Sequence, residues 1–226
     1  LYVADMYRET IEHPWSIPES IKKYLDLDSG NDRGRIWRIA PKGFKPPRRA
    51  LPGKVKTAQL VKLLAHANGW TRDCASRLIY ERQDKAIVPA LTKLTADRES
   101  PLGQIHALWA LRGLGALKKE HVLQALEKGK PEVRVQGMIL AEYFADQAEV
   151  TKAVYAQKDQ ADQHVLYQLA LTASRLPQSD SRKLALATVL GKAGGDKWIE
   201  AAVMNGLSDD LGNMWVAMHG APTVSA

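Results

Sequence analysis

The sequence predicts a mainly α protein, in which a stack of about five helix pairs follows a short β segment. An apolar pattern returns five times within residues 57–218, at a spacing of roughly 30 to 34 residues that is typical of helical repeat arrays. A second apolar-periodic segment lies between successive copies, so each repeat is predicted to be two antiparallel helices. The chain begins instead with two short segments rich in β-forming residues. We therefore divide it into a β segment (1–41), a linker (42–56) and a helical repeat domain (57–226).

The β segment contains two predicted strands, at residues 1–7 and 34–41. A short predicted helix over residues 19–24 and a turn-rich loop at 25–34 separate them. Two strands do not form a stable domain in water. We therefore expect the other strands of this sheet to lie upstream of Leu1, and we interpret the chain as a piece of a longer protein.

The linker is rich in proline and in basic residues, which also account for much of the formal charge of +7. A basic patch of this kind can bind phosphate backbones. The sequence shows no basic and aromatic recognition motif and no helix with a regular basic stripe, so a solvated basic linker is the favoured interpretation and nucleic acid the least favoured partner. The basic residues around this junction are Lys42, Lys45, Arg48, Arg49, Lys54 and Lys56 in the linker and Lys62 just after it.

Capping and turn residues give the expected helix boundaries. The first helix is predicted over residues 60–67, before Gly69, and Thr71 is the predicted cap of the next. Ser100 with Pro101 is predicted to begin a later helix. Glycine or proline marks the remaining turns, at Gly115, Gly129, Pro177 and the Gly194–Gly195 pair. One apolar row is predicted to form a continuous core between repeats: Leu78, Leu108, Leu111, Ile139, Leu169 and Val203.

Several residue types that often form functional sites are predicted to be structural here. The tryptophans are expected to pack between repeats or at the end of the array: Trp70, Trp109, Trp198 and Trp215. The histidines are expected to have the same packing roles, and none has a partner four residues away that would indicate a metal site: His66, His106, His121 and His164. The C-terminal methionines are expected to pack as well: Met204, Met214 and Met218. Cys74, the single cysteine, is predicted to be a buried small residue.

Residues 1–14, which read LYVADMYRETIEHP, and residues 30–39, which read GNDRGRIWRI, resemble a known family. This is the membrane-bound dehydrogenase family of planctomycete-type bacteria, whose members join a β-propeller similar to glucose/sorbosone dehydrogenases to HEAT-like repeats and often to a c-type haem domain. The resemblance implies that residues 1–41 are the end of the propeller and that the helices are HEAT-like. It also implies a periplasmic or cell-envelope location. The haem motif Cys-x-x-Cys-His is absent from this chain.

The resemblance implies a function for the longer protein, namely oxidation of a sugar or an alcohol. The implied cofactors are pyrroloquinoline quinone with calcium in the propeller and haem c in a separate domain. The repeats would then be a scaffold or interaction surface between the chain's own upstream propeller and a downstream haem domain or partner protein. The alternative is a non-catalytic protein–protein interaction module. We expect the fragment alone to be inactive, because its sheet is incomplete.

Two sets of side chains are candidate sites. A dense polar set lies beside the predicted strand ends: Asp5, Arg8, Glu12, His13, Asp32, Arg33 and Arg35. Four of them are candidate catalytic residues, with His13 as a proton acceptor and arginines that hold an anionic group: Arg8, His13, Asp32 and Arg33. The alternative for this set is structural, with ion pairs Asp5–Arg8 and Asp32–Arg33. The acidic loop Asp26-x-Asp28-x-Gly30-x-Asp32 is a candidate calcium site, although its spacing fits a solvated turn better.

The second set is a group of arginines on or beside the second helix of each repeat. A repeat array presents a long surface that binds protein segments or positions flanking domains. Arginines on that surface are candidate contacts for a partner, and solvated side chains are the alternative. The candidate interaction residues are Arg72, Arg77, Arg112 and Arg134, with Arg82 beside them.

Overall fold

The computed structural model describes residues 1–8, 10–11, 13–45 and 52–207, the side chain of residue 52 excepted. The chain divides into two compact units, Leu1–Arg49 and Ala50–Ala226. Six residues named above lie outside the described residues: Glu12, Arg48, Arg49, Met214, Trp215 and Met218.

The first unit contains the two predicted strands as an antiparallel pair. β1 (Tyr2–Asp5) lies against β2 (Arg35–Arg38), with Tyr2 opposite Arg38 and Asp5 opposite Arg35. Between them lie a 3₁₀ helix (Pro14–Ser16) and α1 (Glu19–Lys22). No residue of either strand is buried. A sheet whose two faces are both exposed gains little from apolar burial, and the expectation that it continues upstream of Leu1 stays a prediction.

The second unit is helical, so the prediction of a mainly α protein is confirmed. Its helices form two layers of five. The even layer contains α2 (Thr57–Leu63), α4 (Val88–Thr95), α6 (Lys119–Lys128), α8 (Ala148–Tyr155) and α10 (Asp180–Lys192). The odd layer contains α3 (Gly69–Arg82), α5 (Pro101–Gly113), α7 (Pro131–Ala141), α9 (Gln163–Arg175) and α11 (Lys197–Gly206). Each even helix packs against the odd helix that follows it, and neighbours within a layer also pack together. Within the described residues these are five helix pairs.

The repeat spacing appears directly in the helix starts. The odd-layer helices follow N-cap residues that are 30 to 34 residues apart: Asn68, Ser100, Lys130, Asp162 and Asp196. The prediction that Thr71 caps this helix is wrong. The N-cap is Asn68, whose side chain accepts a hydrogen bond from the Thr71 amide at 3.2 Å, and α3 begins at Gly69. Pro101 is the first residue of α5, as predicted.

The core lies between the two layers. Of the predicted row, four members are fully buried: Leu108, Leu111, Leu169 and Val203. Leu78 and Ile139 are only half-buried, and their neighbours Ile79 and Leu140 are fully buried instead. One residue turns a helix by about 100°, so a one-residue error in alignment moves a side chain from the core to its edge. Among the described residues, no helix is long and apolar enough to cross a membrane.

Candidate functional site

The two layers of the second unit expose different side chains. Of the seven arginines on these helices, six lie on the odd layer and Arg182 lies on α10; of the eight lysines on these helices, seven lie on the even layer and Lys197 lies at the start of α11. Large exposed apolar side chains follow the arginines: Trp70, Tyr80, Leu102, Trp109, Tyr143, Tyr167, Trp198 and Met204 lie on or directly after odd-layer helices, and Leu184 alone lies on an even-layer helix. Protein interfaces are enriched in aromatic residues and arginine and depleted in lysine. The odd layer therefore has the composition of an interface, and the even layer that of a solvated surface.

Two contacts join exposed side chains of this surface between α5 and α7, and we call this group the aromatic patch: Trp109, Arg112, Gln136 and Tyr143. Trp109 and Arg112 are three residues apart on α5, so they lie on the same face of the helix. The Trp109 indole Nε1 donates to Gln136 Oε1 at 2.8 Å. The Arg112 guanidinium lies 4.0 Å from the centre of the Tyr143 ring. The two rings remain 38% and 54% exposed.

A glycine extends the patch towards α3. A Cβ atom at Gly113 would lie 3.0 Å from Cδ2 of Tyr80, so the absence of a side chain there lets the Tyr80 ring approach α5. Gln83 Nε2 donates to the Gly113 carbonyl at 3.3 Å at the same place. Tyr80, Arg112 and Tyr143 thus lie near the C-terminal ends of three consecutive odd-layer helices.

Sequence reasoning predicted the tryptophans as packing residues, and the structure contradicts this for two of them. Trp70 is 55% exposed and Trp198 is 66% exposed. Each is the second residue after the N-cap of its helix, a position on the exposed face of the odd layer. A shared offset from the N-cap was the signal that could have identified this face from the sequence.

The candidate interaction arginines have different roles. Arg134 is structural: its Nε donates to the Gly129 carbonyl and its Nη2 to the Glu127 carbonyl, both at 2.8 Å, and its Nη1 donates to the Leu126 carbonyl and to Gln157 Oε1. Burial lowers the pKa of Arg134. The guanidinium therefore holds the end of α6 rather than a partner.

Arg72 and Arg82 are likewise bound to backbone carbonyls. Arg72 Nη1 donates to the carbonyls of His66 and Ala67 at 2.7 and 3.0 Å. Arg82 Nη1 donates to the Val55 carbonyl at 2.8 Å. The hypothesis that Arg72, Arg82 and Arg134 contact a partner is therefore replaced by a structural role for each.

Arg77 and Arg112 remain on the exposed surface, and they differ in their partners. Arg77 Nε lies 3.4 Å from Glu81 Oε1, one helical turn away. The Arg112 guanidinium makes no hydrogen bond or ion pair with any described residue. It contacts the Tyr143 ring instead. Of these two, Arg112 presents its guanidinium without a carboxylate partner among the described residues.

A serine and a histidine meet between α3 and α5 without forming a catalytic pair. Arg72 Nε donates to His106 Nε2 at 3.2 Å, so that nitrogen carries no proton. His106 Nδ1, 2.9 Å from Ser76 Oγ, is then the protonated nitrogen and donates to the hydroxyl. Burial and the Arg72 charge lower the pKa of His106, against an opposing effect of Asp73. The serine thus has a donor beside it where a nucleophile needs a base.

The remaining histidines have local roles. His121 is buried as predicted: its Nδ1 accepts from the Lys118 amide at 3.0 Å, and its Nε2 lies 3.2 Å from Thr92 Oγ1. Burial lowers the pKa of His121. His66 and His164 are exposed, so the prediction that they pack between repeats is wrong for both. Cys74, predicted to be buried, is half-buried.

Two grooves lie on the even layer. One, of about 490 Å³, lies between α2 and α4 and is lined by Val61, Leu94 and the lysines Lys62 and Lys93 among others. The second, of about 540 Å³, lies between α6 and α8 and includes Arg134, whose donors are already in use. The aromatic patch lies outside both.

In the first unit, Asp5 is the centre of the polar set. Its Oδ2 accepts from Trp37 Nε1 at 2.9 Å and from Arg35 Nε at 3.0 Å, and its Oδ1 accepts from the Tyr7 amide at 2.9 Å. The Trp37 hydrogen bond, then the Tyr7 amide and Arg35, lower the pKa of Asp5. The expected Asp5–Arg8 pair is therefore wrong, because β-sheet register places Arg35 directly opposite Asp5.

The four candidate catalytic residues are not joined into one site among the described residues. Arg8 Nη2 donates to the Leu27 carbonyl, and its Nε is buried without a hydrogen-bond partner. His13 Nδ1 accepts from the Trp15 amide at 3.2 Å and caps the 3₁₀ helix. Asp32 and Arg33 form the expected ion pair, at 3.8 Å between exposed side chains. These contacts favour a structural role for the four residues over a shared catalytic site.

The acidic loop shows a turn geometry. Asp26 Oδ1 accepts from the Asp28 amide at 3.0 Å, and Gly30 adopts a φ of 76°. A Cβ atom on Gly30 would lie 2.1 Å from the Tyr7 carbonyl oxygen, so the loop requires glycine there. Within the part of the chain that the structure describes, no group of three or more His, Cys, Asp or Glu side chains could hold a metal ion.

Comparison with known proteins gives one match. A family model described as a domain of unknown function (DUF7133) matches residues 1–43, which is the first unit without its last residues. No curated protein and no solved structure matches the chain.

Proposed function

We propose that the helical unit is a scaffold whose odd-layer surface binds a partner protein or a flanking domain. The observation that carries this proposal is the position of the large exposed apolar side chains, eight of which lie on or directly after odd-layer helices and one of which lies on an even-layer helix, together with the exposed Arg112. Aromatic residues and arginine contribute most of the energy of protein interfaces. The aromatic patch supplies both kinds of side chain in a fixed arrangement.

Site-specific photo-crosslinking tests this proposal. A photoreactive amino acid would replace Tyr143 in the odd layer or, as a matched control, the exposed Leu184 in the even layer of the parent protein. We expect crosslinked products from position 143 and few from position 184, detected by mass spectrometry. Equal yields from both positions, or none from position 143, would refute the proposal.

The first unit supports a related proposal, that residues 1–45 complete a larger β domain. Its described strands expose both faces, including the side chains of Tyr2, Ile36 and Trp37. The resemblance described above implies that this domain is the propeller of a sugar or alcohol dehydrogenase in the periplasm or cell envelope, and we propose it on that ground. We assign no ligand of pyrroloquinoline quinone, calcium or haem c to the described residues, and these cofactors remain predictions about the parent protein.

A dye-linked oxidation assay on the full-length parent tests the enzymatic prediction. It would use a panel of sugars and alcohols, with pyrroloquinoline quinone and calcium supplied. Turnover that survives deletion of residues 57–226 would support chemistry in the β domain with the repeats as a scaffold. Absence of turnover from a folded parent would favour the non-catalytic interaction module instead.

A further inference from the structure

We infer that the aromatic patch recognises an acidic peptide segment, in which an Asp or Glu side chain lies next to an aromatic or aliphatic residue. This inference rests on the proposed function and adds the chemistry of the partner. It begins with Arg112, whose guanidinium is fixed against the Tyr143 ring at 4.0 Å while its N–H groups bind no described residue. A guanidinium presents donors in a planar fork that matches a carboxylate.

Two other charged residues of the odd-layer side already have partners. Arg77 is paired with Glu81 at 3.4 Å. Glu142, which directly precedes Tyr143, accepts a hydrogen bond from the Thr172 hydroxyl at 3.2 Å. Arg112 is therefore the cation of the patch that is available to a partner carboxylate, and charge complementarity favours an acidic residue opposite it.

The second half of the recognition element is apolar. Trp109 lies one helical turn before Arg112 on α5, and its indole N–H is used by Gln136 at 2.8 Å. With its only donor satisfied, the exposed ring offers an apolar surface and no hydrogen bond to the ligand. A peptide that places an apolar side chain on Trp109 would bring a neighbouring carboxylate to Arg112. Tyr80, beside Gly113, extends the same apolar surface towards α3.

A selection from random phage-displayed peptides on the full chain tests this inference. We expect peptides that bind to be enriched in Asp or Glu adjacent to an apolar residue. Fluorescence polarisation should show that Arg112→Gln weakens the selected peptides about tenfold or more, as expected for loss of a charge-assisted hydrogen bond. Arg77→Gln is the matched control and should leave the affinity unchanged. Arg112→Lys should recover part of the loss, since it keeps the charge without the fork.

The other outcomes separate this inference from the proposed function. Peptides whose binding is lost in Trp109→Ala but unchanged in Arg112→Gln would overturn the acidic partner and leave the odd layer as a binding surface. Selection of no peptide that depends on Trp109 would overturn the inference, while the crosslinking from position 143 decides the proposed function independently. Sedimentation would show whether the chain self-associates. If it does, and Trp109→Ala abolishes the association, the patch binds a second copy of the chain and the inference of an acidic peptide is wrong. Thermal unfolding by circular dichroism confirms that each variant is folded.

Discussion

Arg134 should be one of the most important side chains for stability in the helical unit, although it was a candidate for an interaction role. Its guanidinium donates to Gly129 and Glu127 at 2.8 Å, to Gln157 at 2.9 Å and also to Leu126. Replacement by methionine keeps most of the aliphatic volume and removes all of these donors. The carbonyls at the end of α6 and the buried amide of Gln157 would then lose a charged partner.

The magnitude follows from these contacts. A hydrogen bond from a charged donor contributes about 1.5–3 kcal/mol, and the effects of bonds made by one side chain are not additive. Water can reach some of the released carbonyls, so we expect Arg134→Met to lower the free energy of unfolding by about 3 kcal/mol in total. The matched control is Arg77→Met, because its exposed ion pair with Glu81 should contribute only about 0.3–0.5 kcal/mol.

Urea unfolding followed by circular dichroism measures both changes. Repeat arrays can lose cooperativity, so hydrogen exchange of the amides in α6 and α7 should accompany the unfolding curves and show where the structure opens. Arg134→Lys should fall between the wild type and Arg134→Met, since one ammonium group reaches fewer carbonyls. A loss from Arg134→Met no larger than that from Arg77→Met would refute the structural role.

Two further predictions concern pH and packing. The pKa values of His106 and His121 are lowered in the folded chain, so the unfolded chain binds protons first as the pH falls below about 6.5, and the free energy of unfolding should decrease from pH 7 to pH 5. In the double variant His106→Gln, His121→Gln, the urea midpoint should change less with pH over this range. A pH dependence equal to that of the wild type would contradict the assignment of this effect to the two histidines. Gly137→Ala should destabilise the chain by about 1 kcal/mol, because the new Cβ would lie 3.1 Å from the Ala125 Cβ, which cannot rotate away. Gly191→Ala is the control, because no atom lies within 4 Å of the new Cβ, and it should stabilise α10 by about 0.5–1 kcal/mol. If the unfolding temperatures of both variants shift in the same direction, the packing argument is wrong.

The sequence was sufficient for the architecture because the repeat constrains it five times. The apolar period predicted the paired helices, and Pro101 located the start of α5. The cap at Asn68 was missed because both Asn68 and Thr71 are residues that favour N-caps, and only the path of the backbone decides between them. The β segment was predicted as two strands, and their pairing was then enough to bring Arg35 opposite Asp5.

The candidate site was harder to predict, because composition does not show which way a side chain points. A tryptophan in an apolar helix is ordinarily a packing residue, and that expectation failed at Trp70 and Trp198, which are exposed. The arginines posed the opposite problem, since a charged residue on a helix suggests a surface role. Arg134 turns back to the preceding helix, and only the three-dimensional contacts show it.

The repeat itself contains a rule that explains these arginines. Arg72, Gln104 and Arg134 each lie four residues after the N-cap of an odd-layer helix. Each donates to carbonyls at or just beyond the end of the even-layer helix before it: Arg72 to His66 and Ala67, Gln104 to Thr95 at 2.8 Å, and Arg134 to Leu126, Glu127 and Gly129.

The last carbonyls of a helix have no partner within it, so a donor at this one position closes the turn in three successive repeats. In the fourth repeat the equivalent residue is the buried Leu166, and Lys192 donates instead to the carbonyls of Lys158 and Gln160, at 2.8 and 3.3 Å. The donor thus moves from the odd layer to the even layer where the repeat sequence changes. The residues four positions after the N-cap thus bind the preceding turn in three repeats, whereas Arg112, twelve residues after Ser100, is exposed and lies over the Tyr143 ring.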